Sequence, residues 1–311
     1  MGGVTCIGAA VVDRKLHLHA PPRAGTSNPA RMVVRYGGVA RNVAESLARL
    51  GVEVALVSRV GDDEAGRKIV ADLAAVGVDT SPTVAVPGRC TAEYVAVLDG
   101  PSLVLGVAAM DLLDGLAADD LDRGWPVGGA DRWVFADCNC PPPVLDRALA
   151  RAGAGGVRLA VDAVSTPKAV RLPAALAGIS LLFCNADEAR ALLARTGTGS
   201  DGGPELAGRL RAAGAAAVVL TDGARPVAVA APDGSWQVPA TPARPVDETG
   251  AGDALVAGTL AGLLAGRRLP DAVAAGTVLA ALTAESGHTV RPDLRPALLA
   301  EAARRGARLD A

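Results

Sequence analysis

Residues 133–165 read WVFADCNCPPPVLDRALARAGAGGVRLAVDAVS. Two short apolar runs, Trp133–Ala136 and Val157–Val161, flank a stretch near Pro143–Ala152 with helical spacing of its apolar residues. A strand, a helix and a second strand in this order form a βαβ unit, because parallel strands need a crossover of about a dozen residues. The same alternation extends in both directions. Runs at Val4–Val12, Val54–Val60, Ile179–Cys184 and Ala216–Leu220 alternate with helical patterns near Asp63–Val76, Asp187–Arg195 and Pro204–Ala213. The expectation is an α/β fold with a central, mostly parallel sheet. Ligands of such sheets bind beyond the carboxyl ends of the strands, so polar residues there are the candidates for a site.

Two stretches break the alternation. Residues 14–36 and 83–106 read as short strands with Pro/Gly turns and no helix between them. They fit either a small projecting β-sheet, as in a lid, or a pair of surface hairpins. Later, Val227–Ala231, Pro-Asp-Gly at 232–234 and Ser235–Val238 predict an antiparallel hairpin.

Half of the 311 residues are hydrophobic, which excludes a disordered chain. The 31 basic and 33 acidic residues form no long block of one sign, so no nucleic acid polymer is expected as partner. Three Trp, two Tyr and two Phe are too few for a base-stacking platform along a single strand. No apolar stretch of about 18 residues is free of charge or Gly/Pro breaks, so no membrane span is expected. The start, MGGVTCIGAAVVD, lacks the basic flank of a signal peptide. Five scattered cysteines suit reduced thiols and a cytoplasmic protein. Cys138 and Cys140 lack the second pair that a metal site needs, and His17 and His19 read as a solvated strand face.

Three segments carry chemistry. In PVDETGAGDALVAGTLAGLLAG (245–266), Gly250, Ala251 and Gly252 open a helix, whose free amides attract an anion such as a transferring phosphate. Asp253 at the same point is either a base that takes a proton from an attacking hydroxyl or a helix cap. In YGGVARNVAESLARLG (36–51), Gly37-Gly38 allows close backbone approach, and Asn42 either binds a polar ligand or serves the turn. In LLFCNADEARALLA (181–194), Asn185 and Glu188 share the first turn of a helix. Oxygen ligands there suit Mg²⁺ held through water, and equally a capping box. Asp13, Asp137-Cys-Asn139 and VDAVSTPKA (161–169) follow three further strands.

Each motif is ambiguous alone, but in order and spacing the G-G-x-x-x-N helix, N-x-x-E and D-x-T-G-A-G-D together resemble the ribokinase (PfkB) family of carbohydrate and nucleoside kinases. The resemblance runs from about residue 4 to about 290 and makes residues 1–311 one kinase domain, with a lid from about 14–36 and 83–106. It implies a ribokinase-like three-layer sandwich with a small β-sheet lid over the sugar site. GAAVVD (8–13), GTSNPA (25–30), GGVARNVAESLARLG (37–51), VDAVSTPKA and AALTAESGHTV (280–290) are most similar to the pseudouridine kinase branch, which phosphorylates the 5′-hydroxyl of pseudouridine with ATP.

The resemblance implies that Asp253 is the base and that Gly250, Ala251 and Gly252 form the anion hole. Asp13, Gly38, Asn42 and Asp137 or Asn139 would hold ribose hydroxyls, while Thr26, Ser27, Asn28 and Lys168 would read the base. Asn185 and Glu188 would organise Mg²⁺, and Thr221 and Gly223 would line the ATP site. Asp247, Thr249 and the loop Ala284–Gly287 would hold K⁺. A homodimer through the lid is also implied. TDGARPV departs from the family pattern with Pro226 in place of a glycine and with Asp222 near the phosphates, and Leu255 stands where an aromatic is common. Another nucleoside or sugar acceptor, or a sensor that binds without turnover, are the competing expectations.

Overall fold

The computed structural model describes residues 2–100, 102–126, 131–194 and 202–306. Across the main sheet the strands lie in the order β15 (Gly234–Val238), β14 (Val227–Ala231), β13 (Val218–Thr221), β12 (Leu181–Asn185), β11 (Arg158–Asp162), β10 (Trp133–Asp137), β1 (Gly3–Ile7), β4 (Glu53–Val57) and β6 (Val78–Asp79). From β13 to β6 every neighbouring pair is parallel, and β14 and β15 add the antiparallel hairpin.

Parallel strands buried on both faces carry apolar residues at every position. In β10, Trp133 and Phe135 enter one core while Val134 and Ala136 enter the other. The first core is covered by α1 (Val39–Arg49), α2 (Glu64–Ala75), α8 (Ala251–Leu264), α9 (Leu269–Ala284) and α10 (Pro296–Gly306). The second is covered by α4 (Pro142–Gly153), α5 (Thr166–Ala169), α6 (Ala186–Leu193) and α7 (Gly203–Ala212). The short α3 (Asp111–Asp114) packs on a small third cluster. The end of α6 expected at Arg195 lies outside the described residues.

Two expected strands are each divided. The Val4–Val12 run turns at residues 8–10, so β1 stays in the main sheet and Val11 starts β2 (Val11–Leu18) in a second sheet. The Val54–Val60 run breaks at Ser58, whose hydroxyl donates to the Gly8 carbonyl at 2.6 Å and pins the two breaks together. The second sheet has the order β3 (Ala30–Gly37), β2, β8 (Glu93–Asp99) and β9 (Ser102–Ala109). Residues 84–86 are not part of it: β7 (Val84–Val86) pairs with β5 (Arg59–Gly61) beside the main sheet.

Helices α8 and α9 pack almost backbone to backbone. A Cβ on Gly258 would lie 2.8 Å from the Gly276 Cα. Every residue of α8 from Ala254 to Gly262 is buried, so its amino end is fixed in the body of the protein.

Candidate active site

The strand ends of the main sheet line up polar groups. Asp137 on β10 sits beside Asp162 on β11, and Asn185 on β12 beside Thr221 on β13. The amino end of α8 faces them, and between lies a cleft with about 580 Å³ of empty space. Of the sequence candidates, Asn185, Glu188, Thr221, Gly252 and Asp253 line this cleft, together with Asp162.

The segment Glu248–Ala251 forms a turn in which the Ala251 N–H donates to the Glu248 carbonyl at 3.1 Å. Gly250 takes φ 87°, and a Cβ there would lie 2.1 Å from the Thr289 carbonyl oxygen, so only glycine fits. The Ala251 N–H is thereby spent. Among the described residues, the N–H groups of Gly252 and Asp253 have no protein acceptor, as expected for the first turn of a helix. Of the backbone amides in the stretch expected to hold an anion, that of Ala251 is engaged, and those without a protein acceptor are at 252 and 253.

Asp253 is half-buried at the edge of the cleft. Loss of water around its carboxylate pushes its pKa up to about 7; a hydrogen bond from Asn42 opposes the rise, and Asp137 and Asp13 add to it. The Asn42 amide nitrogen donates to Asp253 Oδ2 at 2.7 Å. Its orientation is fixed from behind, because Asn42 Oδ1 accepts from the Arg41 guanidinium at 3.0 Å. Arg41 pairs with Glu45 at 2.5 Å, and Glu45 with Arg49 at 2.8 Å. This buried chain along α1 was not anticipated. Its sequence signal is the charge spacing at 41, 45 and 49, a pattern shared by many solvated helix faces. No shift toward a free base is needed: a carboxylate with a pKa near 7 is matched to proton transfer at neutral pH.

Asp162 also lines the cleft, and within VDAVSTPKA the sequence has no spacing that singles it out. Burial first, then the charges of Asp253 and Glu188, raise its pKa well above the usual carboxylate range. Its Oδ1 accepts from the Val164 N–H at 2.8 Å. Val164 takes φ 66°, unusual for a β-branched residue, at the wall of the cleft.

Asn185 and Glu188 do form a capping box. The Glu188 N–H donates to Asn185 Oδ1 at 2.9 Å, and the Asn185 N–H to Glu188 Oε2 at 2.8 Å. Burial raises the Glu188 pKa against these hydrogen bonds. A divalent cation in this cleft would meet Asp162, whose pKa the charges of Asp253 and Glu188 raise, while both Glu188 oxygens and Asn185 Oδ1 are engaged in the capping box. Among the described residues no tight cage of three His, Cys, Asp or Glu side chains closes, so such a cation would be held mostly through water and phosphate. Thr221 ends β13 as expected, while Gly223 lies in the turn after it. There the Asp222 carboxylate is neutralised by an ion pair with Arg225. Leu255 is buried against the cleft where an aromatic was the family pattern.

Several expected substrate residues are placed otherwise. Asp137 is fully buried: its Oδ2 accepts from the N–H groups of Ala9 at 2.9 Å and Ala40 at 2.8 Å, and its Oδ1 from Asn139 at 2.9 Å. It anchors the start of α1 and the 8–10 turn and cannot touch a ligand. Asn139 is buried beside it, its carbonyl held by Arg171. Gly37 and Gly38 admit protein atoms, not a ligand. A Cβ would lie 1.8 Å from the Asp13 carboxylate at Gly37 and 2.4 Å from the Ala9 carbonyl at Gly38. Asp13 itself is half-buried, and burial lifts its pKa to about 6 against Lys15 and Arg41. Thr26, Ser27 and Asn28 lie in the exposed β2–β3 loop, where Asn28 bonds Arg23 and the Thr26 carbonyl. Lys168, on α5, is half-buried outside the cleft lining, and burial lowers its pKa.

Asp247 and Thr249 do not fit a bare potassium ion. The Lys15 ammonium lies 2.7 Å from Asp247 Oδ2 and 3.0 Å from Thr249 Oγ1. Burial of Asp247 is outweighed by the hydrogen bonds of Lys15 and Thr249, which hold its pKa at about 2.

The family model for pfkB family carbohydrate kinases matches residues 1–295. The chain belongs to the PfkB family. Members of this family are phosphotransferases that use ATP and act on sugar or nucleoside hydroxyls. A pseudouridine kinase from Escherichia coli is 28% identical over 294 residues, covering 94% of this chain and 93% of that protein. A carbohydrate kinase from Agrobacterium tumefaciens is 30% identical with a TM-score of 0.80, covering 98% and 97% of the two chains. The fold is ribokinase-like: ribokinase from Thermotoga maritima superimposes with a TM-score of 0.79 over 98% of this chain and 100% of that one, at 16% identity. Among the described residues no helix is long and apolar enough to cross a membrane.

Proposed function

We propose that this PfkB kinase transfers the γ-phosphoryl group of ATP to the 5′-hydroxyl of pseudouridine in the cytoplasm, giving pseudouridine 5′-phosphate and ADP. The observation that carries phosphoryl transfer is the placement of Asp253: a carboxylate poised near neutral pH beside two free amides at the start of α8. The choice of pseudouridine is supported by the end-to-end match to the Escherichia coli enzyme and by GTSNPA and VDAVSTPKA.

Asp253 accepts the proton of the 5′-hydroxyl as its oxygen attacks the γ-phosphorus. The bond from that phosphorus to the bridging oxygen breaks, and the electron pair leaves with ADP. The N–H groups of Gly252 and Asp253 bind the charge that gathers on the equatorial oxygens. Asn42 keeps one carboxylate oxygen in place by its hydrogen bond, leaving the other for the hydroxyl proton. Bound Mg²⁺, held by Glu188, Asp162 and Asn185 through water, would neutralise phosphate charge. Asp13, on the β2 strand, would hold ribose hydroxyls.

We further infer that the second sheet closes over the sugar and pairs with that of another copy. All eight residues of the edge strand β9 are exposed, among them Leu103, Val104, Leu105 and Val107. An apolar edge of this kind calls for a partner strand. Incubating the protein with ATP and a panel of pseudouridine, uridine, cytidine, adenosine, ribose and hexoses tests the acceptor. Pseudouridine should give the highest kcat/KM, and a preference for free ribose or a hexose would overturn it. Tight pseudouridine binding without ADP formation would mark a sensor.

A further inference from the structure

We propose that this chain carries its own monovalent cation: the Lys15 ammonium fills the place between Asp247 and Thr249 and orders the anion hole without potassium. The inference rests on the kinase reading above.

The side-chain oxygens of Asp247 and Thr249 and the carbonyls of Ala284 and Gly287 each accept from a protein donor. Asp247 Oδ2 and Thr249 Oγ1 accept from Lys15, and Asp247 Oδ1 accepts from the Thr249 N–H at 3.0 Å. The Ala284 carbonyl accepts from the N–H groups of Val246 at 2.8 Å and Asp247 at 3.1 Å. The Gly287 carbonyl accepts from the guanidinium of Arg35. An ammonium supplies one positive charge and three donors from a single point, and here it is tethered and cannot dissociate. Thr249 immediately precedes Gly250, so holding Thr249 holds the turn that frees the amides of Gly252 and Asp253.

The two cations come from neighbouring strands. Lys15 lies on β2 and Arg35 on β3, and β2 and β3 pair antiparallel in the second sheet. Lys15 is two residues from Asp13, so both side chains leave the same face of β2. One strand thus joins the group placed at the ribose to the loop that shapes the anion hole. A dissociable ion would leave these two events independent. Lys15 makes the seating of the second sheet a condition for an ordered anion hole.

The test compares wild type, Lys15→Met and Lys15→Gln with and without potassium, tetramethylammonium holding the ionic strength constant. Wild-type phosphoryl transfer should change less than about twofold, whereas both variants should be slow without potassium and recover at least about tenfold with it. Potassium should raise the Tm of the variants and leave that of wild type unchanged, because a ligand stabilises only a fold that binds it. Crystals soaked in thallium, a heavy mimic of potassium, should show density at Asp247 in the variants only. A wild-type enzyme that needs potassium, thallium density at Asp247 in wild type, or variants indifferent to potassium would overturn the proposal. If no acceptor is phosphorylated the kinase reading fails, while the Tm and thallium results still decide the role of Lys15.

Discussion

The amino end of α8 and the second sheet are joined by hydrogen bonds from Lys15 to Asp247 and Thr249, and they are built on opposite principles. Around α8, residues 254–262 are all buried, α9 approaches at backbone contact, and a glycine that nothing else can replace sets the turn. In the second sheet, β9 is exposed along its whole length, and Arg14–Glu93 and Lys15–Asp247 are half-exposed ion pairs. The difference teaches that the groups proposed to do the chemistry are fixed before substrate arrives, while the groups proposed to recognise it sit on an element with little core of its own. Preorganised donors stabilise charge without moving, whereas closure needs an element that can move at small cost.

Removing the base should have the largest effect. Asp253→Asn should lose about 10²–10⁴-fold in kcat while nucleoside affinity, measured by calorimetry, is largely kept. The same variant should melt higher than wild type at pH 8. The folded-state pKa of Asp253 is raised from 3.8 to about 7, so the stability that its protonated form contributes is full below about pH 4, is lost as pH rises to about 7, and changes no further above that. Near pH 4 the two proteins should melt alike, since the carboxyl is then protonated in the folded state.

A change in the fixed region that touches no reacting atom should come next. Gly250→Ala places a Cβ 2.1 Å from the Thr289 carbonyl and strains a left-handed residue, at about 1–3 kcal/mol. Thermal melting should show the loss, and kcat should fall with it because the amides at 252 and 253 shift. Asn42→Leu should act more narrowly. It deletes the hydrogen bond that lowers the Asp253 pKa, so the acid limb of the pH–rate profile should move to higher pH.

The smallest stability effect belongs to the exposed sheet. Leu105→Glu on β9 should change stability by no more than about 0.5 kcal/mol, as expected of an exposed site. It should instead shift the protein toward monomer in sedimentation and raise KM more than it lowers kcat. A large drop in Tm would remove the contrast between the two regions.

The fold was legible because the βαβ alternation is written in short apolar runs that differ from the helices around them. What escaped were the breaks at Gly8–Ala10 and Ser58, where an apolar run continues but a buried hydrogen bond ends one strand and starts another. In the site, Asp253, Asn42, Glu188 and Thr221 could be placed from sequence because each closes a strand or opens a helix. Asp137 misled for the same reason: a strand-end carboxylate looks alike whether it meets a ligand or, as here, three backbone N–H groups. Lys15 was invisible as a partner of Asp247, because the two lie 232 positions apart and are brought together only by the second sheet.

The central claim, that Asp253 is the base of a phosphoryl transfer, is tested most directly by the pH dependence of kcat/KM for the nucleoside at saturating Mg-ATP. The rate should fall about tenfold per pH unit below an apparent pKa near 7 and level off above it. A profile that stays flat from about pH 5.5 to 8 would contradict the assignment.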